Sequence, residues 1–170
     1  DWYEGEFDDV PKGKGTLTLA GKVAITGSFH NGLANGKCHA EYHDKSVYDG
    51  EFRDGERFGF GVITTASGDR YEGEWSGDRM NGEGSMTYAN GDVYEGIFSD
   101  NRREGRGFVM YGAAKDKYEG MWVADLPEGE GVCLLASGEK FDGEWKLGQR
   151  CGRGSCVWPD GRSYQGEWKD

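Results

Sequence analysis

Few side chains able to do chemistry are present, and their placement is poor for catalysis. The three histidines, His30, His39 and His43, lie close together, and no serine, cysteine or aspartate recurs beside them in a nucleophile motif. Cys38, His39 and His43 are of the types that ligate zinc. Strand alternation opposes the set: Cys38 would face one side, His39 and His43 the other, with about 13 Å between positions 39 and 43. A structural zinc at these three residues would therefore need a kink or a ligand from elsewhere, and would fix a bend. The plainer reading makes Cys38 a small core residue and the histidines surface groups. Gly-x-Gly pairs such as Gly59/Gly61 and Gly105/Gly107 resemble phosphate loops, but no third glycine, helix or Walker lysine follows. Glutamate pairs such as Glu72/Glu74 alternate with aromatics and would face water. The chain is read as a non-enzyme that requires no cofactor.

The elements that would position these residues are tandem repeats. An aromatic-x-Gly-x-aromatic unit occurs as Tyr3 to Phe7, Tyr48 to Phe52, Tyr71 to Trp75, Tyr94 to Phe98, Tyr118 to Trp122, Phe141 to Trp145 and Tyr164 to Trp168, with Ile25 to Phe29 a degenerate copy. The units start at 3, 25, 48, 71, 94, 118, 141 and 164, and a Gly-x-Gly follows each complete copy. They fill residues 1–170, which reads as a single array.

Spacing of two within each unit predicts strands. Tyr71, Gly73 and Trp75 would share one face, and a polar loop from Ser76 to Asn81 would lead to the next strand. Antiparallel pairing would set Tyr71 opposite Met86 and Trp75 opposite Gly82, so that large rings lie over bare backbone. Between units, the Asn90-Gly91 type of signal suits a three-residue connection with a type I turn and a glycine bulge. The extra residue between Tyr111 and Tyr118 predicts a bulge there. The expected fold is all-β: an elongated, twisted antiparallel meander of about sixteen strands and about 75 Å, solenoid-like in energetics.

Composition agrees. Glycine makes up 31 of 170 residues and aromatics 14%, which argues against disorder, while only three prolines exclude collagen. A net charge of −11 argues against nucleic acid as a partner. No apolar run is long enough to span a bilayer as a helix and no signal-peptide core is visible. With that absence, Cys38, Cys133, Cys151 and Cys156 are read as free thiols in a reducing compartment.

The Tyr-Glu-Gly-Glu-Trp…Gly-x-Gly period of 23 resembles the MORN (membrane occupation and recognition nexus) repeat, over essentially the whole chain. The resemblance implies an interaction protein, similar to MORN-only scaffolds of protist parasite cytoskeletons. It implies cytoskeletal or scaffold proteins as partners and a cytoplasmic, cytoskeleton-associated location. The family is also associated with phospholipid binding and self-association.

Three candidate surfaces follow. Position four of the unit is glutamate in most copies but Ile97 and Met121 in two. Phe108, Met110, Val132 and Leu134 would join these on the outward face, with Phe108 roughly across from Met121. An apolar patch of that kind on a single-layer sheet predicts a homodimer through the C-terminal repeats. Tyr71, Trp75, Tyr94, Phe98, Trp122 and Trp145 could form an aromatic groove for a helix or extended peptide, or simply hold neighbouring repeats together. Arg102, Arg103, Arg106, Lys146, Arg150 and Arg153 could hold lipid headgroups, which makes an anionic or phosphoinositide membrane the rival partner.

Overall fold

A computed structural model describes residues 1–169; Asp170, the end of the last repeat, lies outside the described residues. The strands are β1 (Trp2–Asp8), β2 (Val10–Leu19), β3 (Val23–His30), β4 (Leu33–Tyr42), β5 (Val47–Arg53), β6 (Glu56–Thr64), β7 (Arg70–Ser76), β8 (Arg79–Thr87), β9 (Val93–Ser99), β10 (Arg102–Met110), β11 (Lys117–Val123), β12 (Leu126–Leu134), β13 (Lys140–Lys146), β14 (Gln149–Val157) and β15 (Ser163–Trp168). They form one open antiparallel sheet in chain order, with no helix among the described residues. Fifteen strands replace the expected sixteen because the repeat starting at Tyr164 supplies one described strand. The chain divides into two compact units, Asp1–Gly82 and Glu83 onward.

In each unit a single line of small residues crosses the strands. In the first it runs Gly5, Gly15, Gly27, Cys38, Gly50, Gly61 and Gly73, each opposite the next. In the second it runs Gly96, Gly107, Gly120, Gly131, Gly143, Gly154 and Gly166. The aromatic rings lie on these lines. A Cβ on Gly61 would run into the Tyr48 ring, and one on Gly131 into Tyr118. Cys38 interrupts the first line where the unit carries Ile25 in place of tyrosine. Without a ring overhead, a thiol fits.

The register agrees with the sequence expectation at the first aromatic of each unit: Tyr48 faces Ile63, Tyr94 faces Val109, Tyr118 faces Cys133 and Phe141 faces Cys156. At the second aromatic it differs. Phe52 faces Arg57, Phe98 faces Arg103 and Trp122 faces Pro127, each beyond a register shift next to the central glycine. The glycine expected there faces the next unit instead, as Gly59 faces Trp75 and Gly129 faces Trp145. The cause is the turn. The expected six-residue loop is absent, and the strands join through two residues with left-handed backbone, such as Asp54 (φ 50°) and Gly55 (φ 86°). This tight turn matches strand twist, and the bulge restores the side-chain alternation.

Between repeats the expected three-residue connection is present. Leu135 N–H donates to Glu139 O (2.8 Å) and Gly138 N–H to Leu135 O (2.9 Å), with Gly138 at φ 91°. The extra residue after Tyr111 makes no strand bulge. Tyr111 N–H donates to Asp116 O (2.9 Å), Lys115 N–H donates to Tyr111 O (2.7 Å), and Met110 still faces Lys117 in register.

Gly61 has no left-handed φ, so alanine there tests the ring contact alone. Gly61→Ala is expected to lose about 1–3 kcal/mol, read from urea unfolding, because Tyr48 is held by its neighbours and cannot retreat.

Candidate functional site

The two faces of the sheet differ. On one, the rings form an edge-to-face ladder: Tyr48 meets Phe52 and Trp75 at 5.3 Å each, Tyr94 meets Phe98 at 5.1 Å and Trp122 at 5.4 Å, and Tyr118 meets Trp145 at 4.9 Å. The polar tips of the rings are satisfied by backbone. Tyr48, Tyr71, Tyr94 and Tyr118 hydroxyls donate to the carbonyls of Glu51, Glu74, Ile97 and Met121 at 2.9–3.1 Å. Trp75, Trp122 and Trp145 donate Nε1–H to the carbonyls of Gly61, Gly107 and Gly131 at 3.0–3.2 Å, reaching back to the preceding repeat. Burial pushes these phenols up, Tyr94 to about 12. Tyr71, Trp75, Tyr94, Phe98, Trp122 and Trp145 are all buried, none more than 9% exposed. Their surface is taken up by one another and by the glycine lines.

Arginines close this face. Arg103 lies 4.2 Å over Trp122, its Nε donates to Asp125 Oδ1 (3.2 Å) and its Nη2 to Asp125 O (2.8 Å). Arg57 repeats the arrangement over Trp75 with Asp78. Arg150 lies over Phe141 and pairs with Glu139 at 2.6 Å. Two of the six suggested headgroup cations, Arg103 and Arg150, are thus stacked on rings and paired with carboxylates. Arg102, Arg106, Lys146 and Arg153 are exposed, with Arg106 and Arg153 on the opposite face. Recurrence of Arg57 and Arg103 two repeats apart, each followed by an aspartate in the next turn, was the available signal for this role.

The opposite, outer face carries glutamates whose recurrence has a local cause. Glu6 Oε1 accepts Lys14 N–H (3.3 Å) and Glu144 Oε1 accepts Arg153 N–H (3.0 Å). They satisfy donors that the bulge removes from the ladder. At Ile97 and Met121 this carboxylate is missing.

In the second unit the outer face is ordered in cross-strand rows. One row runs Val93, Met110, Lys117, Leu134, Lys140, Val157. The next runs Glu95, Phe108, Glu119, Val132, Asp142, Ser155. Apolar side chains therefore sit on β10 and β12, and charges on β11 and β13. Ile97, Phe108, Met110 and Val132 are half-buried, while Met121 and Leu134 are exposed. Phe108 and Met121 share this face but are not directly opposed: Phe108 faces Glu119 and Met121 faces Arg106, because Gly107 pairs with Gly120. A shallow hollow of about 420 Å³ lies between Phe108, Val132 and their flanking charges.

The suggested zinc ligands do not converge. Cys38 is buried in the glycine line, with its thiol donating to Ser28 O (3.5 Å), while His43 sits exposed past the end of β4. His39 is on the outer face, with Nδ1 2.6 Å from Asp49 Oδ1 and Nε2 3.3 Å from Glu41 Oε1. Among the described residues no group of three or more His, Cys, Asp or Glu is placed to hold a metal. Straight pairing of β4 with β5 through this segment removes the kink that a site would need.

With this geometry in place, the family can be assigned. The sequence matches the MORN repeat over residues 26–47, 48–70, 71–93, 94–111, 118–140 and 141–161. This chain belongs to the MORN-repeat family. No curated protein matches it in sequence. Among solved structures it is similar to the TCP domain of Drosophila melanogaster SAS-4 (dCPAP), in complex with a proline-rich motif of Ana2. The identity is 12%, the TM-score 0.54, and the match covers 96% of this chain and 94% of that one. The TCP10 domain of Danio rerio CPAP matches at 14% identity and TM-score 0.47, over 91% of this chain and 79% of that one. The likeness to the Drosophila domain is one of fold.

The Asp49 hydrogen bond, with Glu41 assisting, raises the His39 imidazole above its usual value against a smaller opposing effect of burial. A raised folded value adds stability that is full below about pH 6.5 and is lost as pH rises through the folded value. His39→Gln is expected to flatten the fall in urea midpoint between about pH 6 and 8, measured at fixed salt.

Proposed function

We propose that this MORN array is a non-catalytic scaffold that homodimerises through its C-terminal repeats and docks extended segments of partner proteins, at a cytoskeletal structure in the cytoplasm. The observation that carries the proposal is the two-sidedness of the second unit. Its ring face is closed by its own arginines, whereas on its outer face Phe108, Met110, Val132 and Leu134 have no second layer over them. A single sheet cannot bury both faces by itself, so an apolar outer face favours a protein occupant. Docking of extended segments is further supported by the Drosophila domain, similar in fold, whose structure includes a proline-rich motif of Ana2. Cytoskeletal placement rests on the family resemblance and on the identity of that same neighbour.

The double substitution Phe108→Glu with Met121→Glu is expected to halve the mass measured by light scattering, from dimer to monomer. An unchanged mass would remove the dimer from the reading. The rival membrane reading has less support, because two of its six cations are held against rings and carboxylates. Sedimentation with phosphoinositide vesicles at physiological salt is expected to leave the protein in the supernatant. Salt-sensitive pelleting would favour the membrane instead.

A further inference from the structure

The order of the outer face in the second unit goes beyond an apolar patch. Along the first row the charged members are Lys117 and Lys140, and along the second they are Glu95, Glu119 and Asp142. On β11 a lysine and a carboxylate thus stand two residues apart, and on β13 the same order recurs. The strand between them, β12, carries Leu134 and Val132 in the same two rows, and β10 carries Met110 and Phe108. Each of the four central strands therefore presents a matched pair: opposite charges on β11 and β13, two apolar chains on β10 and β12. The flanking strands carry mixed pairs, Val93 with Glu95 on β9 and Val157 with Ser155 on β14.

Such a face is complementary to itself about one particular axis. We infer that the dimer forms face to face about a two-fold axis that lies between the two rows and runs across the strands. Rotation about this axis exchanges the rows and leaves the strand order in place. Lys117 then meets the partner's Glu119, and Lys140 meets the partner's Asp142. Leu134 meets the partner's Val132, and Met110 meets the partner's Phe108. Facing sheets stand about 10 Å apart, which lysine and carboxylate side chains bridge together.

The alternative two-fold axis in the same plane, along a strand, keeps each row on itself. About β12 it sets Lys117 against the partner's Lys140 and Glu119 against the partner's Asp142. Placed between β11 and β12, it sets each of those charges against an apolar chain. Both choices leave like or unpaired charges at the centre of the contact, which is costly. The row-exchanging axis leaves one such mismatch, Glu95 against the partner's Val93, on the flanking strand β9. Apolar contact supplies the attraction, and the charges select the axis. This inference rests on the dimer proposed above and specifies how the two copies meet.

The test uses the whole chain in two charge-changed forms, one with Lys117→Glu and Lys140→Glu, the other with Glu119→Lys and Asp142→Lys. All four positions are exposed, and far-UV spectra of both forms confirm the strands before use. Each form alone is expected to self-associate at least tenfold more weakly than the parent by sedimentation equilibrium. An equimolar mixture is expected to regain the dimer, and so is the chain carrying all four changes. If the parent is a monomer, both the dimer reading and this arrangement fall. A parental dimer with charge-changed forms that still dimerise alone, or do not pair when mixed, overturns the arrangement and leaves the dimer standing.

Discussion

The structure depends on one steric constraint: a planar ring can lie flat on a sheet only where the strands beneath it lack side chains. Tyr48 over Gly50 and Gly61, and Tyr118 over Gly120 and Gly131, meet that constraint with one glycine per strand at one level. A sheet with no second layer thereby acquires a core one side chain thick. The tyrosine and tryptophan rings of the ladder, from Tyr48 to Trp145, are buried and still hydrogen-bond through their edges, and no buried side-chain polar atom is left unpartnered among the described residues. The same constraint explains the irregular repeat. Cys38 enters the glycine line at the unit where Ile25 replaces the ring, so two apparent departures from the pattern are a single compensated change.

The buried rings give the two faces different chemistry. Arg57 and Arg103 strengthen the division: each lies on a tryptophan and is held by an aspartate in the turn of the following repeat. The outer face is correspondingly simple. Glutamates that cap bulges recur along it, and where Ile97 and Met121 replace them the surface becomes apolar in the same repeats that carry Phe108 and Val132.

Much of this was legible in the sequence, and what was not has identifiable causes. Period, strand alternation, the opposition of Tyr48 to Ile63 and the three-residue connection at Gly138 all follow from local spacing. The bulge was hidden because it depends on left-handed backbone at residues such as Ala124 (φ 47°) and Leu147 (φ 49°), which carry no turn signature of their own. The tight turn shifted the second aromatic of each unit, which is why Trp122 faces Pro127 and leans on the preceding repeat. The arginine contacts were missed for a related reason. Their partners, Asp78 and Asp125, lie about one repeat further on, beyond any local motif. Cys38, His39 and His43 were neighbours in sequence only, since alternation puts Cys38 and His39 on opposite faces and His43 lies past the end of β4.

Three of the four thiols give the array a set of internal gauges. Cys38, Cys133 and Cys156 are buried, and burial holds each thiol above its ordinary value, so little thiolate exists at neutral pH. An alkylating reagent can reach them only when the surrounding hairpin opens. Because they lie in separate repeats, the rate at which each is labelled reports how often its own stretch of sheet comes apart, and the chain carries a built-in map of its local breathing.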